Sequence, residues 1–245
     1  MIRVLVNGAK GNMGSASVQA IENDPDLTCV ATADVASNLA DVIQDSTPDV
    51  VLDFTHPDVV FSNVSMVLQS GIHAVVGTTG LTDVQLASLN DMANQHHVGA
   101  LICPNFAIGA ILMMQFATTA ARYLKDVSII EYHHPYKADA PSGTAIKTVD
   151  MMTDDVSDIN EQANQLKQTE RTEGCIGGLY KRVPIHSIRM NGYIASQEVL
   201  MGAPGQRLSI RHDSMDRASF MPGVCLALKK APTIQGLVYG LEHVL

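Results

Sequence analysis

What most constrains this chain is the rhythm of its first 105 residues. Short apolar runs alternate with longer runs whose apolar residues recur at helical spacing. The strand-like runs lie at about 2–6, 27–33, 50–54, 73–76 and 98–102. Helix-like stretches fall between them: up to about Glu22, over Val60, Val64, Val67 and Leu68, and over 82–95, where Thr82 supplies an N-cap. Val50-Val-Leu-Asp-Phe54 is a continuous apolar run, as in a parallel strand covered on both faces. This alternation predicts an α/β fold with a doubly wound, Rossmann-type sheet. Ligands of such sheets bind at the C-terminal ends of the strands.

The first strand end carries Gly8-Ala9-Lys10-Gly11-Asn12-Met13-Gly14. Gly8 and Gly11 permit a tight turn and the close approach of a pyrophosphate, and the following helix N-terminus attracts its charge. Gly14 would let the helix pack closely on the strand. The spacing is GxxGxxG rather than GxGxxG, and a glycine-rich βα turn also occurs without a ligand. Asp34 ends the second strand, 20 positions beyond Gly14, where a ribose-binding carboxylate is expected; the alternative is a solvated loop aspartate. Val35 follows it, with no arginine for an NADP phosphate. That tilts the expectation towards NADH, mildly, because Lys10 is a substitute cation. The fourth and fifth strands end in Gly77-Thr78-Thr79-Gly80 and in Cys103-Pro104-Asn105-Phe106. These complete the expected cofactor rim, although they also read as ordinary turns.

Beyond residue 106 the pattern changes. Residues 107–123 are helical and apolar on most sides (Ile108, Ile111, Leu112, Met113, Met114, Phe116), as expected of a buried helix at a domain junction. A strand at 127–131 and a helix at 142–153 follow. Residues 154–180 read as a polar, glycine-rich linker with a little helix. Strands are expected at 183–190, 194–201 and 206–212, separated by Asn191-Gly192 and Ala203-Pro204-Gly205. Asn-Gly between apolar runs is a hairpin signal. The portion reads as an α+β unit with mostly antiparallel pairing. A helix at 216–230 and an apolar tail, Gly236 to Leu245, close the chain.

Chemistry concentrates in Glu131-Tyr-His-His-Pro-Tyr-Lys-Ala-Asp-Ala-Pro-Ser-Gly-Thr-Ala145. His133, His134 and Lys137 can donate or relay protons. Ser142-Gly143-Thr144 reads as a turn opening a helix, whose free N–H groups suit an anion such as a carboxylate. A dinucleotide that delivers hydride, with proton donors nearby, implies reduction of a C=C or C=N bond. Either His133 or Lys137 serves as the acid on these grounds. Ser142 lacks the Gly-x-Ser-x-Gly setting of a hydrolase nucleophile. The histidine pair lacks the further ligands of a zinc site, so no metal is expected. A net charge of −9 disfavours nucleic acid as a partner. There is no apolar run of about 18 residues, hence no expected membrane span. The start runs directly into a strand with no signal peptide, and the four cysteines are widely spaced, as in a reduced cytoplasmic protein.

These motifs resemble the 4-hydroxy-tetrahydrodipicolinate reductase (dihydrodipicolinate reductase) family nearly end to end. The resemblance is carried by the turn Gly8 to Gly14, by His133-His134-Pro-Tyr-Lys137-Ala-Asp-Ala-Pro-Ser-Gly143-Thr144, and by Gly77-Thr78-Thr79 and Pro104-Asn105-Phe106. His186-Ser-Ile-Arg189, Gln197-Glu-Val and Ile210 to Phe220 extend it. Glu173, Ser196 and Gln206 depart from the common family pattern. The resemblance implies a dinucleotide domain, 1–106 completed by 214–245, and an inserted substrate and tetramerisation domain, 107–213. It implies His133 as acid/base, Lys137 as proton donor, His134 as a substrate contact, and Gly143 and Thr144 on a carboxylate. The implied reaction is NADH- or NADPH-dependent reduction of a cyclic dicarboxylate in lysine and diaminopimelate biosynthesis, by a homotetramer. Two alternatives remain on the residues alone: another two-domain dehydrogenase acting on an amino-acid-derived carbonyl, or a catalytically silent nucleotide sensor.

Overall fold

The structure is a computed structural model that describes residues 1–161 and 169–245. The chain divides into two compact units, Met1–Ile108 with Arg217–Leu245, and Gly109–Asp216.

The first unit is built on a six-stranded parallel sheet. Its strands are β1 (Ile2–Asn7), β2 (Leu27–Ala33), β3 (Val50–Asp53), β4 (His73–Val76), β5 (Gly99–Ile102) and β11 (Gly236–Tyr239), numbered in chain order. The sheet order is β11-β5-β4-β3-β1-β2. From β1 the chain adds β2 on one side and then crosses to add β3 on the other. The switch point therefore lies between β1 and β3, where doubly wound sheets bind ligands. All four residues of β3 and of β5 are buried, as a parallel sheet covered on both faces requires. Val60, Val64, Val67 and Leu68 of α3 (Pro57–Gln69) and Leu89 and Ala93 of α4 (Asp83–Gln95) pack into the same core as Leu5, Val51, Val76 and Ile102. Each such Val, Leu or Ile side chain, fully buried, contributes about 1.5–3 kcal/mol of transfer free energy. Thr82 caps α4 in a reciprocal box. Its hydroxyl accepts from the Gln85 N–H at 3.3 Å, and the Gln85 Oε1 accepts from the Thr82 N–H at 2.9 Å.

Two helical segments of this unit depart from the sequence reading. Helix α2 (Leu39–Ser46) buries only Leu39 and Ile43, too little periodicity to register, and is started by Asn38, whose side chain accepts from the Ala40 N–H. The expected helix at 216–230 begins instead as a 3-10 turn over Arg217–Phe220, and α7 (Met221–Lys230) follows.

The second unit carries a five-stranded mixed sheet of β6 (Asp126–His133), β7 (Gly178–Tyr180), β8 (Val183–Arg189), β9 (Ala195–Ala203) and β10 (Gln206–Ser214), in the order β10-β9-β6-β8-β7. Helices α5 (Ile108–Ala121) and α6 (Gly143–Asp155) belong to the same stretch of chain. The expected hairpin at Asn191-Gly192 is not formed. β8 pairs parallel with β6, and β9 pairs antiparallel with the other side of β6. The Asn-Gly segment thus arches over the end of β6, whose buried residues need partners on both edges. The tight hairpin is β9–β10: Ala203 pairs with Gln206, leaving Pro204-Gly205 as a two-residue loop with Gly205 at φ +78. Part of the expected linker at 154–180 lies outside the described residues; its end forms β7, antiparallel to β8. Helix α5 is less buried than its composition suggests. Ala110, Ile111, Met113, Met114, Ala117 and Ala121 are inside, whereas Phe116 is 55% exposed. Among the described residues, no helix is long and apolar enough to cross a membrane.

Candidate active site

In the first unit, β1 runs into a turn that only glycine can make. Gly8 has φ +84, and a Cβ there would lie 2.3 Å from the Phe54 carbonyl oxygen. The Gly8 and Ala9 N–H groups donate to the Ala33 carbonyl, tying the turn to the end of β2. A Cβ on Gly14 would fall 2.1 Å from the Gly8 carbonyl oxygen. Gly14 therefore lets α1 (Asn12–Glu22) close on the turn itself, not on the strand as expected. No side chain caps α1 and its first turn holds no acidic residue. Its leading N–H groups stay open, beside exposed Lys10, Gly11 and Asn12 and half-buried Met13. This arrangement fits a dinucleotide pyrophosphate.

Asp34 stands at the same rim. Its carboxylate accepts from the Val35 N–H at 2.8 Å and the Lys10 N–H at 2.7 Å. Those two bonds hold its carboxyl below the usual range. The residue reads as part of the turn, with lone pairs left for a ribose hydroxyl. At the ends of β3 and β4, Asp53 is 2% exposed and collects the Asn7 amide at 2.9 Å, the Thr55 hydroxyl at 2.7 Å and the Thr78 hydroxyl at 2.9 Å. The Asn63 amide adds a bond at 3.2 Å. This network fixes Thr78, which in turn accepts the Thr55 N–H at 2.8 Å; Thr79 beyond it is exposed. Gly77 passes between the rings of Phe54 and Phe106, which meet edge to face at 5.6 Å. Cys103 is buried, and burial pushes its thiol up; Pro104 is exposed and Asn105 half-buried. Asn7, Asp53 and Asn63 were not anticipated. A buried aspartate ending an apolar strand was the available signal.

In the second unit, β6 ends on His133, and His134 lies past the strand, exposed. Side chains two apart on a strand share a face, so Glu131 and His133 meet. The Glu131 carboxylate bonds the His133 Nδ1. From β8, Arg189 donates to both Glu131 oxygens, at 2.8 and 2.9 Å. Glu131 is fully buried. Burial works to raise its carboxyl, but the bonds from His133, Arg189 and Ser187 outweigh it and hold it at about 2. Arg189 also donates to the Asp139 carbonyl at 2.8 Å. The Asp139 side chain accepts from the Lys137 Nζ at 2.6 Å, and that ammonium holds the aspartate below its usual range. One arginine thus ties the Glu131 carboxylate that bonds His133 to the loop that carries Lys137. Glu131 and Arg189 had no assigned role from sequence, although a glutamate two before a histidine on a strand was legible.

The same loop leads into α6. Ser142, 2% exposed, is the N-cap and accepts the Ala145 N–H at 3.2 Å. Gly143 is exposed, and a Cβ there would meet nothing within 4 Å. The first turn of α6 holds no acidic residue. Behind it the Thr148 hydroxyl donates to the Thr144 carbonyl at 2.7 Å and accepts from the Gln197 amide at 2.8 Å. A β9 side chain therefore backs the opening turn of the helix.

A dinucleotide-type sheet in one unit and, in the other, a His–Lys cluster on the loop that leads into a helix N-terminus define a class: a nicotinamide-dependent oxidoreductase. The comparisons narrow it. Family models described as dihydrodipicolinate reductase, N-terminus and C-terminus, match residues 2–106 and 109–245. The chain belongs to the dihydrodipicolinate reductase family. It is similar to the 4-hydroxy-tetrahydrodipicolinate reductase of Listeria welshimeri serovar 6b, at 44% identity over 264 residues and 100% of both chains. The enzyme of that name from Mycobacterium sp. (strain KMS) is 46% identical, covering 100% of this chain and 99% of its own. A dipicolinate-bound dihydrodipicolinate reductase from Paenisporosarcina sp. TG-14 superposes with a TM-score of 0.91 at 40% identity, over 100% of each chain.

Proposed function

We propose that the protein reduces 4-hydroxy-tetrahydrodipicolinate to tetrahydrodipicolinate with loss of water, using NADH or NADPH. Bound nicotinamide supplies the hydride. The chain's own residues bind the dicarboxylate and move the proton. Exposed Gly143 and the neighbouring Thr144 offer N–H and hydroxyl donors to a substrate carboxylate at the start of α6. His134 contacts the substrate, and His133 or Lys137 protonates it. The observation that carries this reading is the cluster itself: His133 on a buried carboxylate, with Lys137 joined to it through Arg189 and Asp139. A nucleotide sensor has no need of it.

On the cofactor side, Gly8 to Met13, Asp34, Gly77 to Thr79 and Cys103 to Phe106 form the binding rim. Asp34 favours a free ribose hydroxyl and so tilts the preference mildly to NADH. Assembly as a homotetramer through the second unit's sheet is part of the same proposal, as is a cytoplasmic setting. On the sheet face opposite Glu131, the side chains of Ile130, Tyr132, Ile188 and Leu200 are only half-buried, which leaves apolar area to cover. The test is loss of NADH or NADPH absorbance with substrate made in situ from pyruvate and aspartate semialdehyde by the preceding synthase. Loss that requires the synthase product, faster with NADH, is the expected result. Folded protein that binds both cofactors yet oxidises neither would sink the proposal.

A further inference from the structure

We propose that Glu131 is a positioning residue that sets the tautomer of His133. This deepens the reading above and rests on its assignment of proton transfer to His133. The geometry is one-sided. Arg189 has only N–H donors, and it places two of them on the two Glu131 oxygens, at 2.8 and 2.9 Å. The carboxylate so held can offer His133 nothing but an acceptor. The His133 Nδ1 must therefore carry a proton to make its bond with Glu131. In the neutral ring, Nε2 is then the atom with the free lone pair. With the side chain 13% exposed, Nε2 is the nitrogen left to exchange a proton with a ligand.

Among the described residues, Glu131 is the carboxylate bonded to the His133 ring. Across β8 the residue in register with His133 is Arg189, and across β9 it is Ala195. The loop brings Lys137, whose ammonium is engaged by Asp139. His212, further along the same sheet face, lies against Gly109 instead. Glu131 is thus the acceptor at Nδ1. A further Arg189 N–H donates to the Asp139 carbonyl, so the carboxylate that orients His133 is tied to the loop that carries Lys137.

The decisive variant is Glu131→Gln. Arg189 demands an acceptor, so the new amide oxygen turns to it and the amide NH2 falls to His133. The ring must then accept at Nδ1, which moves its proton to Nε2. Nitrogen-15 NMR of ring-labelled protein in mildly alkaline solution reads this directly. Expected is a protonated Nδ1 for His133 in the native protein and a protonated Nε2 in the variant. Turnover should fall at least ~100-fold, with KM and NADH affinity within about twofold. Native protein with a protonated Nε2 overturns the proposal, whether or not the variant folds. So does a variant that keeps native turnover while His133→Ala is inactive. If His133→Ala itself turns over normally, the assignment of proton transfer to His133 fails instead, and the tautomer measurement separates the two.

Discussion

At the scale of the residue, Lys137 and Glu131 make opposite demands on solvent. Lys137 is 22% exposed and paired to a mostly exposed Asp139, so its removal leaves no buried charge. Lys137→Ala should lower turnover by about 10²–10⁴-fold, the usual worth of a positioned proton donor. NADH affinity should stay near native, as read by fluorescence titration; loss of NADH binding would place Lys137 on the cofactor instead. Glu131 is wholly buried, and its pKa falls from an ordinary 4.5 to about 2 on folding. A depressed folded pKa means stability that is complete above about 4.5 and is lost as pH drops through about 2. The linkage is worth about 3 kcal/mol. Denaturant unfolding of the native protein and of Glu131→Gln should therefore differ most above pH 5 and converge as pH approaches 2. A gap that is constant with pH would show that Glu131 does not titrate with folding. The local sequence made His133, His134 and Lys137 legible because they sit within five positions of each other. Arg189 lies 58 residues from Glu131 and Gln197 lies 49 from Thr148, pairings that only strand register and helix-on-sheet packing create.

Among the elements, two helix starts carry the two proposed binding surfaces, and their glycines differ in kind. In α1, Gly14 meets the Gly8 carbonyl and the Ala9 Cα, both backbone and unable to give way. Gly14→Ala should cost about 1–3 kcal/mol of stability and weaken both cofactors, because the turn must open. At the start of α6, Gly143 has no neighbour within 4 Å of a Cβ position. Gly143→Ala should leave the melting temperature unchanged or slightly raised, since alanine is the better helix former. Its KM for the dicarboxylate should nevertheless rise about tenfold, as a methyl intrudes where the carboxylate is proposed to sit. An unchanged KM would remove Gly143 from that contact. Element by element, the longer strands and helices were legible from periodicity, whereas the short strands β7 and β11 were not. Helix α2 was not, with two buried residues in eight. The Asn191-Gly192 turn misled for a different reason. Local turn chemistry favours a hairpin there, but β6 takes both flanking strands as its own neighbours, and a whole strand's ladder outweighs one turn preference.

For the whole molecule, the alternation of the first 105 residues was enough to read a doubly wound sheet, but not its closing edge. β11 has four residues and no periodicity to speak of, so its place came from family resemblance. Its bonding explains why the chain must return. It pairs with β5 from Gly236 to Tyr239, and the flanking amides of Gly236 and Gly240 donate to the Val98 and Ile102 carbonyls. Leu237 bonds the Asn90 side chain of α4 at 3.0 Å, and Leu241 is fully buried. Ending the chain at Thr233 would strip these contacts and leave β5, buried along its whole length, as an open hydrophobic edge. The first unit should then melt more than ~10 °C lower, lose NADH affinity and associate through that edge on size-exclusion chromatography. The segment Gly109–Asp216 has its own sheet and core, and its hydrogen-exchange protection should survive the truncation. Retention of native melting and cofactor affinity would mean that the six-stranded sheet is stable as five, and that the terminal strand serves something other than the cofactor unit.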